Sequence, residues 1–217
     1  MHSDEHTPAA GAFDYLRALP QYLLPGHLLS RLMHAFTRIR AGWLRVPFTR
    51  WFVRQFHVDM DEALEPDPAA YPHFNAFFTR ALKPGARPLA DEPADVCSPV
   101  DGRVSQGGTV RNGRIFQAKG QVFSLQELLG GDAARAAPFE GGSFLNLYLS
   151  PRDYHRIHMP LAGRLQEMAY VPGRLFSVNP ATVRVIPRLF ARNERVVSLF
   201  ETDAGPMAVI KVGAIFV

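Results

Sequence analysis

With 217 residues, 47% hydrophobic and 20% charged, the chain can bury the core of one ordinary domain plus an appendage, and it is too apolar to be disordered. Eighteen prolines and seventeen glycines favour many short elements over a helix bundle, and a single cysteine, Cys97, excludes an internal disulfide framework. The formal net charge of +4 rests almost wholly on arginine and forms no nucleic-acid-binding module, so basicity alone gives no reason to expect DNA or RNA.

The first residues are polar and small, with no apolar run behind a basic one, which predicts a disordered lead over 1–14 and no secretory signal. From Tyr15 to Val58 there is no acidic residue, while Arg17, Arg31, Arg38, Arg40, Arg45, Arg50 and Arg54 all fall in that window. Leu28, Leu29, Leu32, Met33, Phe36 and Ile39 recur at helical spacing, and so do Leu44, Phe48, Trp51, Phe52 and Phe56. Pro20, Pro25 and Pro47 should divide the region into short helices. No run approaches the roughly 20 apolar residues a bilayer span needs. Basic, aromatic-rich amphipathic helices over 15–58 suit a bilayer's headgroup layer, although such stripes also pack on a protein's own core.

The acidic cluster Asp59, Asp61, Glu62, Glu65 and Asp67, followed by Pro66, Pro68 and Pro72, marks an expected boundary, with a β-rich catalytic domain over 59–217. Residues 74–80 read as a short apolar helix, and residues 97–104 as strand, Asp101-Gly102 turn and strand. Asn112-Gly113 is a hairpin signal. Ser124 and Glu127 predict a capping box, with Gly130 as the stop. Residues 144–149 alternate as a half-buried strand that Ser150-Pro151 should end. The loop that follows, up to Pro160, carries His155 and His158, side chains able to move protons near neutral pH. A metal site is weakly supported, because Asp153 is the only nearby carboxylate. Residues 165–171, 196–200 and 207–217 read as strands, 175–179 as a loop or pocket wall, and 189–195 as a turn. The fold class is α+β: N-terminal amphipathic helices, then a mostly antiparallel β-domain with short helices. An apolar strand running to Val217 predicts that this domain is incomplete at its C-terminus.

Several long motifs in fixed order resemble the phosphatidylserine decarboxylase proenzymes of the bacterial membrane-associated type. They are residues 98–102 (SPVDG), 117–120 (QAKG), 148–160 (YLSPRDYHRIHMP), 170–179 (YVPGRLFSVN), 189–195 and 205–207. The resemblance implies decarboxylation of phosphatidylserine to phosphatidylethanolamine through a Schiff base to a covalent pyruvoyl group, with no added cofactor and no metal. The pyruvoyl group would form from a serine when the precursor cuts itself at a Gly-Ser bond. Asp101 and His158 match the family's triad aspartate and histidine, and His155 its other histidine. Tyr148, Phe176, Ser177 and Asn179 are candidate substrate contacts.

The resemblance also implies a small pyruvoyl-bearing subunit from the same precursor, a homodimer, and peripheral attachment to an anionic membrane on the cytoplasmic face of the bacterial inner membrane. One departure stands out: after His158 the serines are Ser177 and Ser198, and neither follows glycine. The expectation is a large-subunit portion lacking the nucleophile and inactive alone. The alternatives are a non-catalytic lipid-surface relative that has lost that serine and, more weakly, a metal hydrolase built on His155, His158 and Asp101.

Overall fold

The computed structural model describes residues 10–90, 92, 95–118 and 121–216. Eight α-helices occur among them: α1 Ala12–Ala18, α2 Gly26–Phe36, α3 Gly42–Phe56, α4 Phe74–Phe78, α5 Leu125–Leu128, α6 Ala133–Ala136, α7 Pro180–Val185 and α8 Leu189–Arg192. The strands are β1 Arg103–Thr109, β2 Arg114–Ala118, β3 Gln121–Ser124, β4 Ser143–Tyr148, β5 Arg164–Val171, β6 Arg195–Thr202 and β7 Gly205–Val212. This is the α+β class, helices first and sheets after. Most of the predicted lead lies outside the described residues, but its last part, from Ala12, opens α1. Pro47 does not end a helix: it sits inside α3, where its missing N–H removes one intrahelical bond. The final apolar run is a strand only to Val212.

The chain divides into two compact units, and neither begins at Asp59. The first comprises the described parts of 1–30, 104–148 and 163–217; the second comprises 31–103 and 149–162.

In the first unit β5, β6 and β7 form an antiparallel sheet, with Val197 of β6 opposite Ala169 and Ile210. β2 pairs with β3, and β1 with β4. The Asn112-Gly113 turn has the two positive φ values, 53° and 66°, of the expected hairpin, yet it closes only the Arg111–Arg114 bridge. β1 and β2 then diverge to other partners. Ser124 caps α5 by accepting from the Glu127 N–H at 3.3 Å, but the Glu127 carboxylate goes to Arg188, so half of the capping box forms. The main core gathers Val110, Ile115, Phe123, Leu125, Leu128, Leu129 and Val197.

The second unit is built on aromatic packing. Phe48, Phe52 and Phe56 lie at i, i+4 spacing on α3. They meet α4, where Phe52 crosses Phe74 edge-on at 4.9 Å and Phe77 is fully buried. Each such ring contributes about 2 kcal/mol through burial, and about 1 kcal/mol more through each edge contact. This anchors α4, which leads into the candidate site.

Candidate active site

All the histidine-loop chemistry falls within the second unit. After Pro151 the backbone turns on itself: the Asp153 carboxylate accepts from the Ser150 N–H at 2.6 Å and from its hydroxyl at 2.8 Å. Arg80 and Arg156 then fix the loop to the end of α4. Arg80 donates to the Arg152 carbonyl at 3.3 Å, and Arg156 donates to the Thr79 carbonyl at 2.9 Å. Beyond them the loop runs antiparallel to residues 97–99, with the His158 N–H on the Pro99 carbonyl at 2.8 Å and the Cys97 N–H on the Pro160 carbonyl at 3.0 Å. No regular strand forms over 97–100, but this two-bond ladder brings Asp101 and His158 onto neighbouring segments.

Asp101 and His158 are not hydrogen-bonded to each other. Arg87 holds Asp101 instead, its Nε donating at 2.7 Å and Nη2 donating to the other carboxylate oxygen. Arg87 also reaches both Glu62 oxygens, at 3.0 and 2.9 Å. The Arg87 guanidinium, with help from the Tyr154 backbone N–H, keeps the Asp101 carboxyl below the usual carboxylate range, and the two carboxylates push Arg87 upward. Behind them Arg80 is 2% exposed, its Nε lacks a partner among the described residues, and burial lowers its pKa.

His158 is exposed. Its ring lies along that of buried Tyr154, with centroids 5.5 Å apart and planes at 22°, and its Nε2 is 3.0 Å from the Tyr154 hydroxyl. Its Nδ1 has no partner among the described residues. His155 is half-buried against Phe78, with ring centroids 4.1 Å apart, and its Nδ1 is 2.8 Å from the Asp153 carbonyl. A carbonyl can only accept, so this nitrogen carries the proton and Nε2 is bare when the ring is neutral. Burial favours that neutral form by lowering the pKa. Two imidazoles thus present unpartnered nitrogens within one loop.

The other expected contacts lie in the first unit and are engaged there. Tyr148 is the last residue of β4 and half-buried. Phe176 is 1% exposed, in a core cluster with Ala18, Ile186 and Leu189. Asn179 caps α7, accepting from Ala181 and Thr182, and the Ser177 hydroxyl accepts from the Asn179 amide at 2.9 Å. Sequence reasoning missed Arg87, Glu62, Arg80 and Tyr154. Tyr154 stood inside the histidine motif, but the two arginines and Glu62 carried no periodic or motif signal. Among the described residues no group of three or more His, Cys, Asp or Glu could hold a metal ion, and no helix is long and apolar enough to cross a membrane.

A family model described as phosphatidylserine decarboxylase matches residues 74–217, and a second, described as PSD, matches residues 16–57. Among similar proteins is the phosphatidylserine decarboxylase proenzyme of Pseudomonas putida (strain GB-1), 63% identical over 199 residues, covering 92% of this chain and 69% of the relative. The proenzyme of Pseudomonas aeruginosa (strain LESB58) is 63% identical over 204 residues, covering 94% and 71%. That of Ectopseudomonas mendocina (strain ymp) is 62% identical over 199 residues, covering 92% and 70%.

Proposed function

Because the chain belongs to the phosphatidylserine decarboxylase family, we propose that it serves the conversion of phosphatidylserine to phosphatidylethanolamine, with His158 and His155 as its acid–base residues and Asp101 as the carboxylate that supports His158. The observation that supports this is the short ladder between residues 97–99 and 158–160, which puts the segments that carry Asp101 and His158 next to each other, with Tyr154 against the His158 ring.

The residues fit the formation of a pyruvoyl group from an incoming serine. His158 is exposed and offers an unpartnered ring nitrogen to a hydroxyl proton. Asp101 supplies a fixed negative charge nearby, already ionised at neutral pH. The pyruvoyl carbonyl would supply the electron sink that decarboxylation beside an amine requires and that no side chain provides. His155, kept neutral by burial with a bare Nε2, is suited to handling a proton on the substrate side. The small pyruvoyl-bearing subunit, a homodimer and attachment to an anionic bilayer at the cytoplasmic face of the inner membrane are part of the same reading. The membrane part is supported by exposed Phe13, Leu16, Leu23 and Trp43 beside the arginines of 15–58.

The test is mass spectrometry of the purified full-length gene product, with CO2 release from phosphatidylserine vesicles. Two chains are expected, the smaller with a blocked N-terminus, and His158→Ala is expected to stay uncut. A wild-type product that stays uncut and releases no CO2 overturns the reading and favours a non-catalytic lipid-surface role.

A further inference from the structure

We infer that Tyr154 is the positioning residue for His158, and that it selects the tautomer in which Nδ1, not Nε2, is the basic nitrogen. The inference rests on the functional reading above, because the need for a base at His158 decides between the two tautomers. Three observations carry it. Tyr154 is 6% exposed, so its ring is a fixed platform for an imidazole that is itself exposed. The two rings lie nearly parallel, with the phenol oxygen 3.0 Å from Nε2. Asp101, the residue that would orient the histidine in a Ser-His-Asp arrangement, is instead occupied by Arg87.

The hydrogen bond can be drawn in two ways. If the phenol donates to Nε2, the ring proton sits on Nδ1, and neither nitrogen offers a free lone pair. If Nε2–H donates to the phenol oxygen, Nδ1 is bare and unpartnered, open to a serine hydroxyl proton. Only the second arrangement leaves a base in place. In it a proton accepted at Nδ1 gives an imidazolium whose Nε2–H is still held by Tyr154. The tyrosine thus performs the orienting task, while Asp101 is held by Arg87.

The test uses the chain with 15N-labelled histidine at about pH 9, where imidazoles are neutral. The His158 signals are assigned by their loss in His158→Gln. Expected is a bare Nδ1 and a protonated Nε2 in the wild type. Tyr154→Phe keeps the buried ring and removes the hydroxyl, so its nitrogens should move toward averaged values, and self-cleavage of the full-length product should slow on the order of tenfold, the loss of one hydrogen bond. A proton found on Nδ1 in the wild type overturns the inference, and so do unchanged nitrogen shifts in Tyr154→Phe. The nitrogen signals decide this question even if the full-length product never cleaves, an outcome that would sink the functional reading alone.

Discussion

At Asp101 a single side chain decides how much charge the site keeps. The carboxylate takes hydrogen bonds from Arg87, and its pKa is lowered mainly by them. The folded state therefore binds this proton more weakly than the unfolded chain does. The resulting stabilisation is present above the ordinary carboxylate pKa of 3.8 and is lost as pH falls through the depressed folded value. Arg87→Ala should raise the Asp101 titration midpoint, read by carboxyl-carbon NMR, and weaken the acid dependence of unfolding below about pH 4. An unmoved midpoint would show that Arg87 does not hold the carboxylate in solution. Asp101 and His158 were legible in the sequence because they sit in motifs. Arg87 and Glu62 were not, because an ion pair between residues 62, 87 and 101 depends on backbone paths that no local pattern encodes.

Single elements are held by buried polar side chains as much as by apolar ones. Asn193, just after α8, is fully buried. Its amide donates to the Phe176 and Gly213 carbonyls at 2.8 Å each, and its oxygen accepts from the Phe176 N–H at 2.9 Å. Asn193→Ala strands three backbone groups in the first unit and should lower unfolding stability by about 3 kcal/mol in urea titrations. A loss below about 1 kcal/mol would mean that water replaces the amide. The neighbouring Gly173 explains itself sterically, since a Cβ there would stand 2.5 Å from the Arg192 carbonyl oxygen. Strands β5 and β6 and the helices α2, α3 and α5 were readable from periodicity and caps. The partnering of β1 with β4 was not, because the Asn-Gly turn advertised a hairpin that the flanking strands abandon.

Over the whole molecule the net charge of +4 understates an uneven distribution, since the window from 15 to 58 holds arginines and no acid. Leu23 is 90% exposed and Trp43 80%, so apolar surface accompanies that charge. In sedimentation with anionic phospholipid vesicles, bound chain should fall several-fold between about 0.05 and 0.5 M salt as the arginines are screened. Trp43→Asp should weaken binding on the order of tenfold at low salt, the cost of losing one buried aromatic. Equal pelleting with neutral vesicles at both salt levels would remove electrostatic attachment from the account. Composition predicted one boundary at Asp59, whereas the contacts cut the chain elsewhere and return to the second unit after a long excursion. Hydrophobic pattern reports which face of an element is buried, and it does not say which distant segment buries it.

That return has a consequence for the order of events during synthesis. The ladder at Cys97 and Pro99 lacks its partner until residues 158 and 160 have left the ribosome, with the whole of 104–148 emerging in between. Closing so long an excursion costs loop entropy that local contacts cannot offset. The histidine loop is therefore assembled late, after the aromatic packing of α3 and α4 has had time to form, so a nascent chain carries its histidines unorganised until most of its length exists.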